Sequence, residues 1–225
     1  MTTRYTINPS LRLCTWCLVV GWHEVKDSLL QSESIFSCEG RSIYTKGDRC
    51  MIMAQVNEKR IDFYYCHDTK FDNRNIQSWL RNIIKNKILD LANIELPKRL
   101  HYWEKEKNLY ARQVIIKKLK RRNIWGQCSI YKQIFLPPKI VVFPLELIDE
   151  IILHEMSHLK FMHHRKQFWE YFSFLLGRDA KLCKMKESVF FAKYDEMIEF
   201  LLKIIGNCAT LFLTFSLSLC QNLKV

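Results

Sequence analysis

His154-Glu155-Met156-Ser157-His158 sets two imidazoles four residues apart with a carboxylate beside the first, and His163 and His164 follow shortly after. Four of the chain's seven histidines fall in this one stretch. On an α-helix, positions four apart are separated by about 400°, so His154 and His158 share a face one turn apart and can meet one metal ion. Glu155 is turned by about 100° from His154, close enough to reach a water held at that ion without itself binding the ion. Zinc suits such a set: it takes imidazole nitrogens, lowers the pKa of its water, and leaves a neighbouring carboxylate to accept the proton. The plainer reading is a chance pair of histidines on a half-exposed helix. "LIDEIIL" directly before the motif argues against it, because it supplies a buried helical lead-in.

The third ligand is less direct. If the helix ran on unbroken, His163 would point roughly opposite His154, and His164 would lie about 120° from His158. The chain must therefore leave the helix between Lys160 and His164. Histidine enters the left-handed region more readily than most non-glycine residues, which makes His163 the candidate turn residue and His164 the candidate ligand. A carboxylate on a later helix, Glu196 or Glu199, is the alternative.

The elements that must position these groups follow from periodicity. "PLELIDEIILHEMSHLKF" reads as a helix with Pro144 in its first turn and Glu146, Asp149 and Glu150 in its N-terminal half, where the helix dipole favours acids. "RKQFWEYFSFLLG" is a further helix with Phe168, Phe172 and Leu175 on one face and Gly177 as its stop. Strands are expected near Val114–Lys120 and Ser129–Leu136, joined across "NIWGQC". The second of them precedes the metal-binding helix and is a candidate edge onto which an extended peptide could add. Upstream, Ile76, Leu80, Ile83 and Leu91 recur at helical spacing, with Asp72 or Asn75 as N-cap and Pro97 beyond the end; a second helix is expected over Lys98–Leu109. Between Arg41 and Cys66, short apolar runs broken by "KGD" and "NEK" read as a small antiparallel sheet. Residues 1–38 show no clear period and are left as an N-terminal extension, 39–200 form the expected domain, and 201–225 an apolar C-terminal tail.

Composition narrows the remaining classes. At 225 residues and 48% hydrophobic, the chain can bury a core and is not a disordered one. Nine cysteines, an odd number in no repeating pattern, do not make a secreted disulfide framework, and Cys14 and Cys17 form a CxxC with no second pair. A reducing, cytoplasmic setting is expected. "LCTWCLVVGW" is short for a signal sequence and no small-residue cleavage site follows it. The uncharged run Ile204–Leu223 is long enough to span a bilayer, so membrane attachment through it is the alternative. The net charge of +12 favours acidic partners, and "KKLKRR" at Lys117–Arg122 is the densest basic run, with Lys139, Lys160, Arg165 and Lys166 as candidates to surround the same cleft. No nucleic-acid-binding motif accompanies that run, and a solvated face is its plainer explanation.

"NIWGQCS" followed by "IFLPPKIVVFPLELIDEIILHEMSHLKFMHHRKQFW" resembles the YgjP-like metallopeptidase domain. Trp125, Gly126, Cys128 and Ser129 match its first block; Pro144, Ile148, Asp149, His154, Glu155 and His158 its second; His164, Phe168 and Trp169 its third. The resemblance implies an α+β, zincin-like fold: a small antiparallel sheet packed on the HExxH helix, further helices, and a β-rich N-terminal part. It also implies His154, His158 and His164 as Zn²⁺ ligands and Glu155 as catalytic base, with a peptide or protein as substrate. Ile124 and Gln127 stand where the family has arginine and serine, His163 where it has asparagine, and Arg165 where it has serine. The expected activity is zinc-dependent peptide hydrolysis, in which Glu155 activates a metal-bound water for attack on a carbonyl. The alternatives are a metal-dependent hydrolase of a non-peptide substrate such as a nucleotide, and a basic nucleic-acid-associated protein.

Overall fold

The computed structural model describes residues 11–12, 19–25, 41–46, 49–121 and 124–181. Cys14, Cys17, Arg122, Glu196, Glu199 and the apolar run Ile204–Leu223 lie outside them. The chain divides into two compact units, and the division between Lys87 and Ile88 falls within one long helix.

The first unit is a five-stranded mixed sheet. Its strands are β1 (Leu11–Arg12), β2 (Val19–Glu24), β3 (Arg41–Lys46), β4 (Arg49–Val56) and β5 (Arg60–Tyr65), in the order β1-β2-β5-β4-β3. The expected antiparallel run over residues 41–66 is β3-β4-β5, its β4–β5 turn closed by Asn57 N–H donating to the Arg60 carbonyl at 2.8 Å. The segment left as an extension also enters the sheet: β2 lies parallel to β5, with Val20 opposite Ile61. Val20, Ile52, Ala54, Ile61 and Phe63 are buried, and Trp22 stacks on Phe63 at 4.6 Å. Asp62, between two apolar core positions of β5, is buried, while its partners Arg60 and His23 are half-exposed. Arg60 binds it through two nitrogens at 2.6 and 2.7 Å, and His23 lies 2.7 Å from the same carboxylate.

Helix α1 (Arg74–Lys107) begins where the Asn73 side chain accepts the Asn75 N–H at 2.8 Å, so the cap is Asn73 rather than Asp72 or Asn75. Ile76 and Leu80 of the expected stripe are buried, but the buried face then runs through Ile84 rather than the half-buried Ile83, and Trp79 meets Phe63 and Tyr44. The helix does not stop before Pro97. It carries the proline inside and takes in the second helix expected from Lys98. Proline forgoes one backbone bond, but Leu91, Ala92, Leu96 and Leu100 are buried on both sides of it, and packing outweighs that local cost. Asn108, at φ 47°, ends the helix in the left-handed conformation.

In the second unit, β6 (Gln113–Ile116), β7 (Gln127–Cys128) and β8 (Gln133–Leu136) form a three-stranded sheet in the order β6-β8-β7. The expected first strand stops at Ile116 rather than Lys120. Lys117, Lys118, Lys120 and Arg121 are exposed around a buried Leu119, and the Lys117 ammonium lies 3.8 Å from the Phe135 ring centre. β6 and β8 are parallel, and β7 pairs antiparallel with β8 through a turn in which Lys132 is left-handed at φ 59°. The candidate edge is thereby corrected: β8 is paired on both sides, and β7 is the outer strand on its flank. A 3-10 helix (Pro138–Val142) buries Ile140, Val141 and Val142 and leads through Phe143 to α2 (Leu145–Ser157) and then α3 (Lys166–Leu176).

Two polar links fasten α2. Arg99 of α1 grips Asp149 with two nitrogens at 2.5 and 2.6 Å, and the Trp103 indole donates to the same carboxylate at 2.8 Å. Arg178, just past α3, pairs with the buried Glu150. Phe168, Phe172 and Leu175 are the buried face of α3, and Gly177 closes it at φ 75°, as its position in the sequence leads one to expect. No described helix is long and apolar enough to cross a membrane.

Candidate metal centre

Helix α2 brings His154 and His158 onto one face, with ring centres 5.1 Å apart. It ends at Ser157, earlier than the sequence suggests, and His158 is its C-terminal cap at φ −67° and ψ −16°. The Ser157 hydroxyl donates to the Leu153 carbonyl at 2.8 Å, and Leu159 and Lys160 donate to Met156 and Ser157 three residues back. These short-range bonds tighten the last turn and start the chain's departure. His163 then sits in a tight bend, its carbonyl accepting the Arg165 N–H at 2.7 Å. It is not left-handed: Asn108 and Lys132 are the non-glycine residues with positive φ among those described. A sequence of bends turns the chain, so no single residue has to bear the reversal.

The bend delivers His164 to the helix face. Its Nε2 lies 3.0 Å from His154 Nε2, and one ligand nitrogen from each of His154, His158 and His164 lies within 4.8 Å of the others. Nitrogens about 2.0–2.1 Å from a tetrahedral zinc stand about 3.3 Å apart, so only small shifts separate this set from one that holds the ion. His158 is oriented for it. A carbonyl can only accept, so the 3.0 Å contact between His158 Nδ1 and the Phe161 carbonyl puts the proton on Nδ1 and leaves Nε2 with its lone pair. Burial, opposed in part by that hydrogen bond, pulls the His158 pKa below its ordinary value and keeps the ring neutral, the form that binds metal. The Trp169 indole donates to the His164 carbonyl at 3.1 Å and holds the returning chain. Where it can be read from the described residues, the donor set therefore fits a borderline metal such as zinc.

A family model for the YgjP-like metallopeptidase domain matches residues 24–182, more than half of the chain. The chain belongs to the YgjP-like metallopeptidase family. No curated protein and no solved structure matches it. Membership makes metal-dependent peptidase chemistry the family context for the three imidazoles; it reaches back to Glu24, the last residue of β2, and so takes in part of the segment that periodicity leaves unassigned.

Glu155 is 5% exposed, and burial pushes its carboxyl up to about 8. Gly126 lies against it, with Cys128 nearby. Burial, with a smaller contribution from the Glu155 charge, raises the Cys128 thiol to about 11, so Cys128 stays a thiol and not a nucleophile. Trp125 packs on Phe143 at 5.2 Å beneath the Lys139 ammonium at 3.8 Å. Lys160 lies over Tyr171 and Lys166 pairs with Glu170, so three lysines expected to line a cleft have local partners.

Two residues here are marked by the family resemblance but given no role by it. Phe168 is fully buried and touches all three imidazoles: stacked on His158 at 4.6 Å, edge-on to His154 at 5.0 Å and to His164 at 4.5 Å. Its apolar spacing on α3 marks it as core, and nothing in that pattern says that the core it fills is the floor of the site. Gly126 is the other.

Proposed function

We propose that the chain is a zinc-dependent peptidase in which His154, His158 and His164 hold the ion and Glu155 is the general base. The observation that carries this reading is the approach of the three imidazole nitrogens to within 4.8 Å of one another beside a buried carboxyl. Bound zinc supplies a Lewis acid that polarises a carbonyl and makes water easier to deprotonate. The chain supplies everything else. His158 is held in one tautomer by the Phe161 carbonyl, and Phe168 fixes the planes of all three rings. Burial alone puts the Glu155 carboxyl near 8, whereas a dication beside it favours the carboxylate. The two effects oppose each other and leave Glu155 able to take a proton from water and return it to the leaving amine near neutral pH.

The test uses the purified full chain. Metal content and hydrolysis of a peptide library are measured for the wild type, Glu155→Gln and His164→Ala. Glu155→Gln keeps its zinc and loses about 10²- to 10⁴-fold in rate, the usual worth of a positioned acid–base group; His164→Ala loses zinc. Hydrolysis that survives Glu155→Gln removes the proposed role of Glu155, and full zinc occupancy in His164→Ala removes the third ligand.

A further inference from the structure

Gly126 has no need of glycine's backbone freedom, since Gly177 is the glycine with positive φ among the described residues. Space is what requires it. A Cβ built on Gly126 would stand 2.5 Å from Glu155 Cγ, 2.6 Å from Oε1 and 2.8 Å from Cδ. All three distances are shorter than real Cβ contacts, and together they run along the outer part of the Glu155 side chain from its γ-carbon to a carboxylate oxygen. The backbone at 126 therefore lies flat on the carboxyl arm.

Neither side of this contact is free to yield. On one flank of Gly126, Trp125 is held between the fully buried Phe143 and the Lys139 ammonium. On the other, Gln127 and Cys128 are paired with Phe135 and Ile134 of β8. The carboxyl arm opposite is buried on α2, whose position is set by the Arg99–Asp149 and Arg178–Glu150 pairs.

We infer that Gly126 is a positioning residue for Glu155: its bare Cα forms the wall against which the carboxyl arm lies, and any side chain there would displace the carboxylate from the metal centre. This rests on the proposed role of Glu155, and its consequence is specific. A methyl group at 126 should spare the three imidazoles and misplace the base.

The test is a cycle of Gly126→Ala, Glu155→Ala and the double variant, read first by thermal denaturation of the full chain without metal. Gly126→Ala lowers Tm in the wild-type background, and most of that loss disappears in the Glu155→Ala background, where the arm is gone. If Gly126→Ala does not accumulate as folded protein, accumulation of folded Gly126→Ala/Glu155→Ala carries the same message. The second readout is kinetic, on zinc-loaded protein: Gly126→Ala keeps stoichiometric zinc and nearly unchanged KM, while kcat falls about 10- to 100-fold, the scale of a misplacement near 1 Å. An equal Tm loss in both backgrounds, or a Gly126→Ala enzyme with full kcat, overturns the inference. If the wild type hydrolyses no peptide and the Tm coupling is present, the peptidase reading falls and the contact stands.

Discussion

Replacing Phe168 by alanine should loosen the metal centre without touching a ligand atom. The ring is 0% exposed and lies within 5.0 Å, centre to centre, of His154, His158 and His164. Truncating a fully buried phenylalanine costs about 3–5 kcal/mol through lost transfer energy and the cavity left behind. At about 2–4 °C per kcal/mol for a chain of this size, Tm should fall by roughly 10 °C. The three ring contacts, worth about 0.5–1.5 kcal/mol each beyond area, also restrain the imidazole planes, and removing such support weakens metal binding by about 10- to 100-fold. Phe168→Leu separates the two effects: it keeps most of the buried volume, costs less than about 1.5 kcal/mol, and still removes the aromatic floor. Competition against a fluorescent zinc chelator gives the affinity, and thermal denaturation of the metal-free protein gives the stability. Zinc binding as tight as the wild type's in both variants, whatever their Tm, would refute this role, because Phe168 would then be ordinary core.

Two further outcomes follow from polar groups in the two units. Asp149→Asn keeps the shape of the side chain but removes the charge that Arg99 and the Trp103 indole bind, and should lower stability by about 1–3 kcal/mol, read as a lower urea midpoint with unchanged m-value. In the N-terminal sheet, burial alone would raise the Asp62 pKa, but the hydrogen bonds from Arg60 and His23 outweigh it and hold the carboxyl below its ordinary 3.8. A depressed folded value means the stabilisation is present above 3.8 and lost as pH falls through the folded value. Asp62→Asn should therefore flatten the acid limb of the stability curve below that pH, followed by tryptophan fluorescence; an unchanged acid limb would show that the cluster contributes nothing.

What could be read in advance depended on how local the controlling physics is. Two histidines four apart need only helix geometry, so the face they share was legible, and so was Gly177, whose conformation is set by its own lack of a Cβ. The need for a chain reversal before His164 was also legible, but its form was not. Several short-range bonds after Ser157 share the bend, and no local preference of His163 decides it. Pro97 misled because the local signal to stop was overridden by buried Leu96 and Leu100 beside it. The parallel pairing of β6 with β8, and of β2 with β5, joins segments distant in sequence, and alternation within each strand cannot specify it. Phe168 and Gly126 were marked by the family resemblance, but only the atoms opposite them show what each does at the site.

Whether three imidazoles meet one ion is tested most directly by zinc K-edge X-ray absorption on the zinc-loaded full chain. The wild type should show three histidine nitrogens at about 2.0–2.1 Å and one further oxygen ligand, and His164→Ala should lose one of the nitrogens. A sulfur neighbour near 2.3 Å, or three histidine nitrogens persisting in His164→Ala, would contradict it.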